Sequence, residues 1–200
     1  MNKRSYGGRI TCEQFCFYEM RVVARLILEG KTEDEIVSAV VEDNLFQYPT
    51  ERTVARIAKA CYQRLMSLND MELVNTVATE FGEAARQICL YGMMKCYPVV
   101  WDFMIQVIGE KYRTLDMTFG PVDINSFFQR VQSDNDEAAG WSDLTVQKVK
   151  QVLRKTLVEN EYIDSVNSDH LNLVLIDSQL ENAIRANGDL DALLAFNCMN

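Results

Sequence analysis

A helical spacing of apolar residues runs through the first 115 residues and limits the possible folds more than any other feature of the chain. Residues 11–14 (TCEQ) and 32–35 (TEDE) have the S/T-x-x-E/Q form of a capping box, which satisfies the first free N–H groups of a helix. Each is predicted to begin a helix, the first ending near Gly30 and the second near Asn44. Pro49 and Thr50 are predicted to open a third helix, with Thr50 as its N-cap.

The pattern changes after Gly120 and Pro121, which mark the predicted domain boundary. Residues 1–118 are predicted to form a helical domain with a helix-turn-helix-like unit at 32–68. Residues 119–200 are predicted to form a winged-helix-like domain. The remaining predicted elements are helices near 70–96, 98–112, 122–132, 143–159 and 178–187, and two short strands, 162–163 and 171–176, that pair as a hairpin wing. The predicted fold class is therefore mainly α, with helix-turn-helix or winged-helix units and a short C-terminal β-hairpin.

The chain is acidic overall but locally basic. It has 20 Lys and Arg against 29 Asp and Glu, for a formal net charge of −9, which excludes a uniformly basic nucleic-acid binder. No acidic residue occurs between positions 144 and 158, however, where four basic residues are found. A local basic patch remains effective because fields between surface charges decay over about 8–10 Å at physiological salt.

Two predicted helices place their basic residues on one side. At 100° per residue, the apolar residues of 143–159 fall on one face and the opposite face is basic and amide-rich. The candidate nucleic-acid contacts on this helix are Gln147, Lys148, Lys150, Gln151, Arg154 and Lys155. The helix at 50–68 repeats the design, with candidate contacts Arg52, Arg56, Lys59 and Gln63. Lys and Arg can hold phosphates, and Gln can match an adenine edge in the major groove.

An alternative interpretation is that each basic face is an ordinary solvated helix surface on a protein-interaction scaffold. Two observations favour nucleic-acid binding. Residues 65–140 contain eleven acidic and five basic residues, so the loss of carboxylates at 144–158 is local. The design also occurs twice, each time on the last helix of a helix-turn-helix-like unit.

Nothing in the sequence indicates catalysis, a metal site or a cofactor. His170 is the only histidine, and no phosphate-binding loop, nucleophile elbow or zinc-protease motif occurs. The six cysteines lack a C-x-x-C pair and are predicted to be free thiols, with Cys12, Cys61, Cys89 and Cys96 buried. The absence of a signal peptide and of a long apolar segment predicts a cytoplasmic protein without a membrane partner.

The chain also resembles the BrxA family of bacteriophage exclusion (BREX) defence systems. Four stretches carry the resemblance: ARLILEGKTEDEIVSAVVEDNLFQYPTERTVARIAKACYQRL, MMKCYPVVWDFMIQVIGEKY, DINSFFQR and WSDLTVQKVKQVLRKTLVENEYI. The resemblance implies a helical fold related to NusB-type antitermination proteins, with winged-helix character. It also implies a non-enzymatic DNA-binding protein that works with other BREX proteins, and the NusB relationship leaves RNA open as a ligand.

Overall fold

The computed structural model describes residues 6–198, and the chain divides into two compact units. The first unit is Phe15–Cys96, and the second unit combines Met1–Gln14 with Tyr97–Asn200. Among the described residues the regular structure is helical, with eleven α-helices and no strand, so the predicted mainly helical fold is confirmed. The boundary predicted between residues 118 and 119 falls inside the second unit, and the predicted division into domains 1–118 and 119–200 stays a prediction.

The first unit is built around its third helix. Its five helices are α1 (Phe17–Leu28), α2 (Glu33–Glu42), α3 (Glu51–Met66), α4 (Met71–Thr79) and α5 (Glu83–Cys96). Helices α1, α2 and α5 all pack against α3, and α4 packs against α1 and α5. The core side of α3 comprises the apolar residues that the helical wheel predicts as buried: Val54, Ile57, Ala58, Cys61 and Leu65.

The helix-start signals were correct at two of three positions. Thr32 and Glu35 form the complete capping box, and the Thr50 hydroxyl accepts a bond from the Thr53 N–H as the N-cap of α3. The helix predicted to start at 11–14 is wrong, because the Thr11 hydroxyl donates back to the Gly8 carbonyl at 2.9 Å and ends a 3₁₀ turn. Helix α1 begins only after Cys16, whose φ of 57° is left-handed and cannot continue a helix.

The helix predicted over 70–96 is interrupted at residues 80–82, between α4 and α5. The C-terminal end of α4 is stabilised by residues of α1, because the side chains of Arg21 and Arg25 both donate to the Ala78 carbonyl. Positive charge at a helix C-terminus is favourable, since the last carbonyls lack partners within the helix. The guanidinium of Arg21 also lies 3.3 Å from the centre of the Phe81 ring, which covers it at this break.

The second unit contains the remaining helices. They are α6 (Pro98–Phe103), α7 (Glu110–Thr114), α8 (Pro121–Asp134), α9 (Asp136–Ala139), α10 (Asp143–Glu159) and α11 (Ser178–Ala186), with a π-helical segment, Met104–Gly109, between α6 and α7. The 3₁₀ turn Gly8–Thr11 packs on α10, and the 3₁₀ segment Leu190–Phe196 packs on the π-helical segment. A Cβ at Gly109 would lie 2.9 Å from the Leu194 Cβ, so this approach requires glycine.

The predicted β-hairpin wing is wrong. Residues 162–163 form a bend and residues 171–176 have no regular secondary structure. One backbone bond joins the two predicted strands, from the Asn172 N–H to the Tyr162 carbonyl at 2.8 Å. Tyr162 is buried and donates its hydroxyl to the Ala195 carbonyl, so residues 162–163 belong to the core rather than to an exposed wing.

Residues 169–171 pair instead with residues 117–119, immediately before α8. The Phe119 N–H donates to the Asp169 carbonyl and the Leu171 N–H donates to the Met117 carbonyl, each at 2.8 Å. Between them lies an isolated antiparallel bridge that joins Thr118 and His170. The loop that follows α10 is therefore fixed against the start of α8.

Candidate nucleic-acid interface

Helix α10 has the boundaries and the buried face that the sequence predicts. The Ser142 hydroxyl accepts a bond from the Thr145 N–H at 3.2 Å, so it caps the helix. All six residues on the predicted core side are buried: Val146, Val149, Val152, Leu153, Thr156 and Leu157. This packing fixes which side of the helix faces solvent.

Four of the predicted contact residues on α10 form an exposed row, which we call the outer stripe: Gln147, Lys148, Gln151 and Lys155. None of these side chains makes a hydrogen bond or an ion pair with another residue among 6–198. The two lysines are seven positions apart, about two helical turns, so both lie on the same side of α10. The outer stripe thus offers two uncompensated cations and two amides to a ligand.

Lys150 and Arg154 are half-buried, unlike the outer stripe. The Lys150 Nζ donates to the Asn125 Oδ1 at 2.8 Å, and the Arg154 Nη1 donates to the Val166 carbonyl at 2.7 Å. The helical wheel places Arg154 on the polar face, but α8 and the loop after α10 lie beside this edge of the helix and cover part of its side chain. The basic residues of α10 therefore divide into an outer stripe and an inner pair.

The predicted contacts on α3 divide in the same way. Arg52, Lys59 and Gln63, which we call the α3 stripe, are exposed and make no hydrogen bond or ion pair with another described residue. Arg56 is half-buried, and its Nε lies below the surface without a hydrogen-bond partner. Arg64, on the same helix, is 1% exposed and donates to the Phe15 carbonyl at 3.0 Å, so its charge is not available at the surface.

The start of α8, which adjoins the inner pair, is anchored by Lys111. Its Nζ lies 2.9 Å from a carboxylate oxygen of both Asp116 and Asp123, and Asp123 also accepts the Gly120 N–H at the helix start. Burial alone would lower the Lys111 pKa, but the bonds to the two carboxylates outweigh it and raise that pKa. The pKa of Asp116 falls to about 2, because Thr118 and Lys111 donate to its ionised form.

Asp116 should make the stability of the protein depend on acid pH. Its folded pKa of about 2 is below its ordinary 3.8, so its stabilising effect is complete above pH 3.8 and is lost as the pH falls toward 2. The stability gap between the unmodified protein and Asp116→Asn should therefore shrink between pH 5 and pH 3 in urea titrations. Asp134→Asn, on an exposed residue at the end of α8, is the control. A gap that stays constant over this range would contradict the prediction.

Among residues 6–198, no group of three or more His, Cys, Asp or Glu side chains is placed to hold a metal ion. No single helix in that range is both long enough and apolar enough to cross a membrane. None of the six cysteines forms a disulfide, and burial raises the pKa of the Cys61 and Cys89 thiols, which disfavours the reactive thiolate. Cys12, predicted to be buried, is exposed, and Cys96, also predicted to be buried, is only partly so.

The BrxA family model matches residues 4–188. The BREX protein BrxA of Bacillus cereus is 29% identical over 190 residues, covering 94% of this chain and 94% of that protein. The BREX protein BrxA of Escherichia coli O9:H4 is 26% identical over 193 residues, covering 96% of this chain and 90% of that protein. An uncharacterized protein from Magnetospirillum magneticum, known from its crystal structure, has the same fold, with a TM-score of 0.81 at 20% identity over 98% of this chain and 100% of that one. Because the family match spans nearly the whole sequence, the chain belongs to the BrxA family of BREX phage-defence proteins.

Proposed function

We propose that this protein is a non-enzymatic component of a BREX system that binds duplex DNA through the outer stripe of α10, with the α3 stripe as a separate second contact. The observation that carries the proposal is the outer stripe itself, where Lys148 and Lys155 are exposed without a carboxylate partner in the described chain. The chain has a net charge of −9, so two exposed lysines on one helix face without a carboxylate partner form a local positive surface on an acidic protein. Their isolation favours a polyanionic ligand.

The chemistry of the stripes favours binding with little sequence preference. Lysine approaches phosphate as a point charge, and phosphate contacts position a protein on DNA without reading its sequence. Gln147 and Gln151 of the outer stripe could add contacts to adenine edges in the major groove. Because the outer stripe has only two amides beside its two lysines, contacts to the DNA phosphate backbone should contribute most of the affinity.

The proposal predicts a strong salt dependence. Each neutralised phosphate contributes a slope of about −0.9 to log K plotted against log salt, so four to six contacts should give roughly −4 to −5. Fluorescence anisotropy with two unrelated 25-bp duplexes between 50 and 200 mM salt measures the slope. The two sequences should give similar slopes and affinities. A binding constant that does not change over this range would contradict the electrostatic proposal.

RNA is one alternative ligand. An RNA duplex of the same sequence, titrated in parallel, should bind more tightly than the DNA duplex if the relationship to NusB-type proteins that the family resemblance implies extends to the ligand.

A protein-scaffold role is the other alternative. It is favoured by apolar side chains exposed to solvent, with Leu173 and Leu175 exposed by 67% and 80%. Replacing both leucines with serine should leave DNA affinity unchanged and weaken co-purification with other BREX proteins if they form a docking surface.

A further inference from the structure

A pocket of about 380 Å³ lies beside α10 within the second unit. It is lined by residues at the start of α8, by the inner pair Lys150 and Arg154, and by residues 166–169 of the loop after α10. Its volume is within the range of about 300–1,000 Å³ that is usual for small-molecule sites. The outer stripe lies on a different side of α10, so this pocket is a separate feature of the same helix.

The two cations of the pocket are held in place but not neutralised. Lys150 is bonded to an amide oxygen and Arg154 to a backbone carbonyl, and neither makes a salt bridge with a carboxylate among the described residues. Each also lies over an aromatic ring, with the Lys150 Nζ 5.3 Å from the Phe128 centroid and the Arg154 Cζ 5.1 Å from the Phe119 centroid. Neutral partners therefore fix two neighbouring positive charges, an arrangement suited to an anion.

The rest of the lining indicates more than a bare phosphate. Pro121, Ile124 and Val166 supply apolar surface, which inorganic phosphate would not need. The guanidinium of Arg154 is a planar surface on which a base can stack. Asp169 also lines the pocket, and a carboxylate disfavours a second anion but accepts hydrogen bonds from exocyclic amino groups. Together these groups match a phosphate joined to a flat, amino-bearing ring.

We propose that this pocket binds a single unpaired nucleotide, with its phosphate on Lys150 and Arg154 and its amino-bearing base toward Asp169. One source of the nucleotide is an unpaired residue of a bound DNA strand, and for this source the inference rests on the proposed DNA binding. A free mononucleotide offers the same chemistry and is the other source. A cytosine base should be preferred to thymine, because only cytosine presents an exocyclic amino group.

The test compares a blunt 25-bp duplex with the same duplex carrying a three-cytidine or a three-thymidine 3′ overhang. The protein should bind the duplex with the cytidine overhang at least about fivefold more tightly than the blunt duplex. This factor is the low end of the affinity that one stacked base contributes. Val166→Trp, which fills the pocket from its exposed rim and leaves both cations in place, should remove the overhang preference while blunt-duplex affinity is retained. Asp169→Asn should reduce the difference between the cytidine and thymidine overhangs.

Lys150→Gln with Arg154→Gln should also remove the preference, and thermal unfolding checks that this variant is folded. Titration of the unmodified protein with cytidine monophosphate by calorimetry is independent of duplex binding. One outcome is that no duplex binds, that cytidine monophosphate binds, and that Val166→Trp abolishes binding of the mononucleotide. The DNA proposal then fails and the pocket is a site for a free nucleotide. If blunt and overhang duplexes bind equally and cytidine monophosphate does not bind, the pocket inference is overturned even where duplex binding stands.

Discussion

Changing Lys148 and Lys155 together to alanine is expected to weaken duplex DNA binding roughly tenfold to fiftyfold at 0.1 M salt and to flatten the salt slope by about 1.8. The reason is that two phosphate contacts are lost, each worth about 0.9 in the slope. Both lysines are exposed and make no bond within the described chain, so thermal stability should change by no more than about 0.5 kcal/mol each. Anisotropy titrations at several salt concentrations, with thermal unfolding in parallel, measure both quantities.

A matched control separates the position of the charge from its amount. Arg113→Ala with Arg185→Ala removes the same two positive charges from exposed sites, but each arginine is paired within its own helix, with Glu110 and Glu181. This variant should bind DNA nearly as the unmodified protein does. If it loses as much affinity as the Lys148 and Lys155 variant, the effect is one of net charge and the outer stripe is an ordinary solvated surface.

The same comparison applies to the first unit. Arg52→Ala with Lys59→Ala removes the two cations of the α3 stripe and is expected to flatten the salt slope by a similar amount if α3 contacts DNA. If only one of the Lys148/Lys155 and Arg52/Lys59 variants loses affinity, only the helix that was changed in that variant contacts DNA. If neither does while both remain folded, the protein-scaffold interpretation replaces the DNA proposal.

Arg64→Ala is expected to destabilise the protein by about 3–5 kcal/mol. Arg64 is among the largest fully buried side chains, so truncation leaves a cavity in the α1–α3–α5 core. It also leaves the Phe15 carbonyl without its hydrogen-bond donor, which adds a desolvation cost. Urea unfolding followed by circular dichroism measures the loss.

Two further variants separate the volume of Arg64 from its hydrogen bond. Arg64→Met keeps much of the volume but cannot donate, so it should recover the part of the loss that comes from the cavity. Gln63→Ala, on the exposed neighbour, is the control and should change stability by less than about 0.5 kcal/mol. An alanine variant as stable as the control would show that Arg64 contributes little to the core.

Local patterns were sufficient to predict α10 and its buried face. Its cap, its boundaries and its six core residues depend on interactions between positions no more than four apart, which a sequence displays directly. Arg64 was also accessible to this reasoning, because it is seven residues from the buried Ile57 and lies on the same side of α3. A cation at such a position indicates a buried arginine and not part of a basic surface.

The wing and the inner pair could not be predicted because they depend on distant residues. Residues 171–176 have the alternation of a strand, but residues 169–171 pair with 117–119, and neither segment reveals that pairing by itself. The same contact fixes the loop that holds Arg154 through the Val166 carbonyl. A helical wheel assigns Arg154 to the polar face and cannot show which other segment covers it.

The bridge between Thr118 and His170 joins residues about fifty positions apart, and this separation orders the events of folding. Helix α10 depends on local bonds and can form on the microsecond timescale of helix growth, whereas closing so long a loop is slower. The outer stripe can therefore exist on a partly folded chain before the pocket does. During refolding, the signal of a probe at Val166 should recover later than the helical signal. Nascent chains should likewise acquire affinity for polyanions before they acquire any selectivity for an unpaired base.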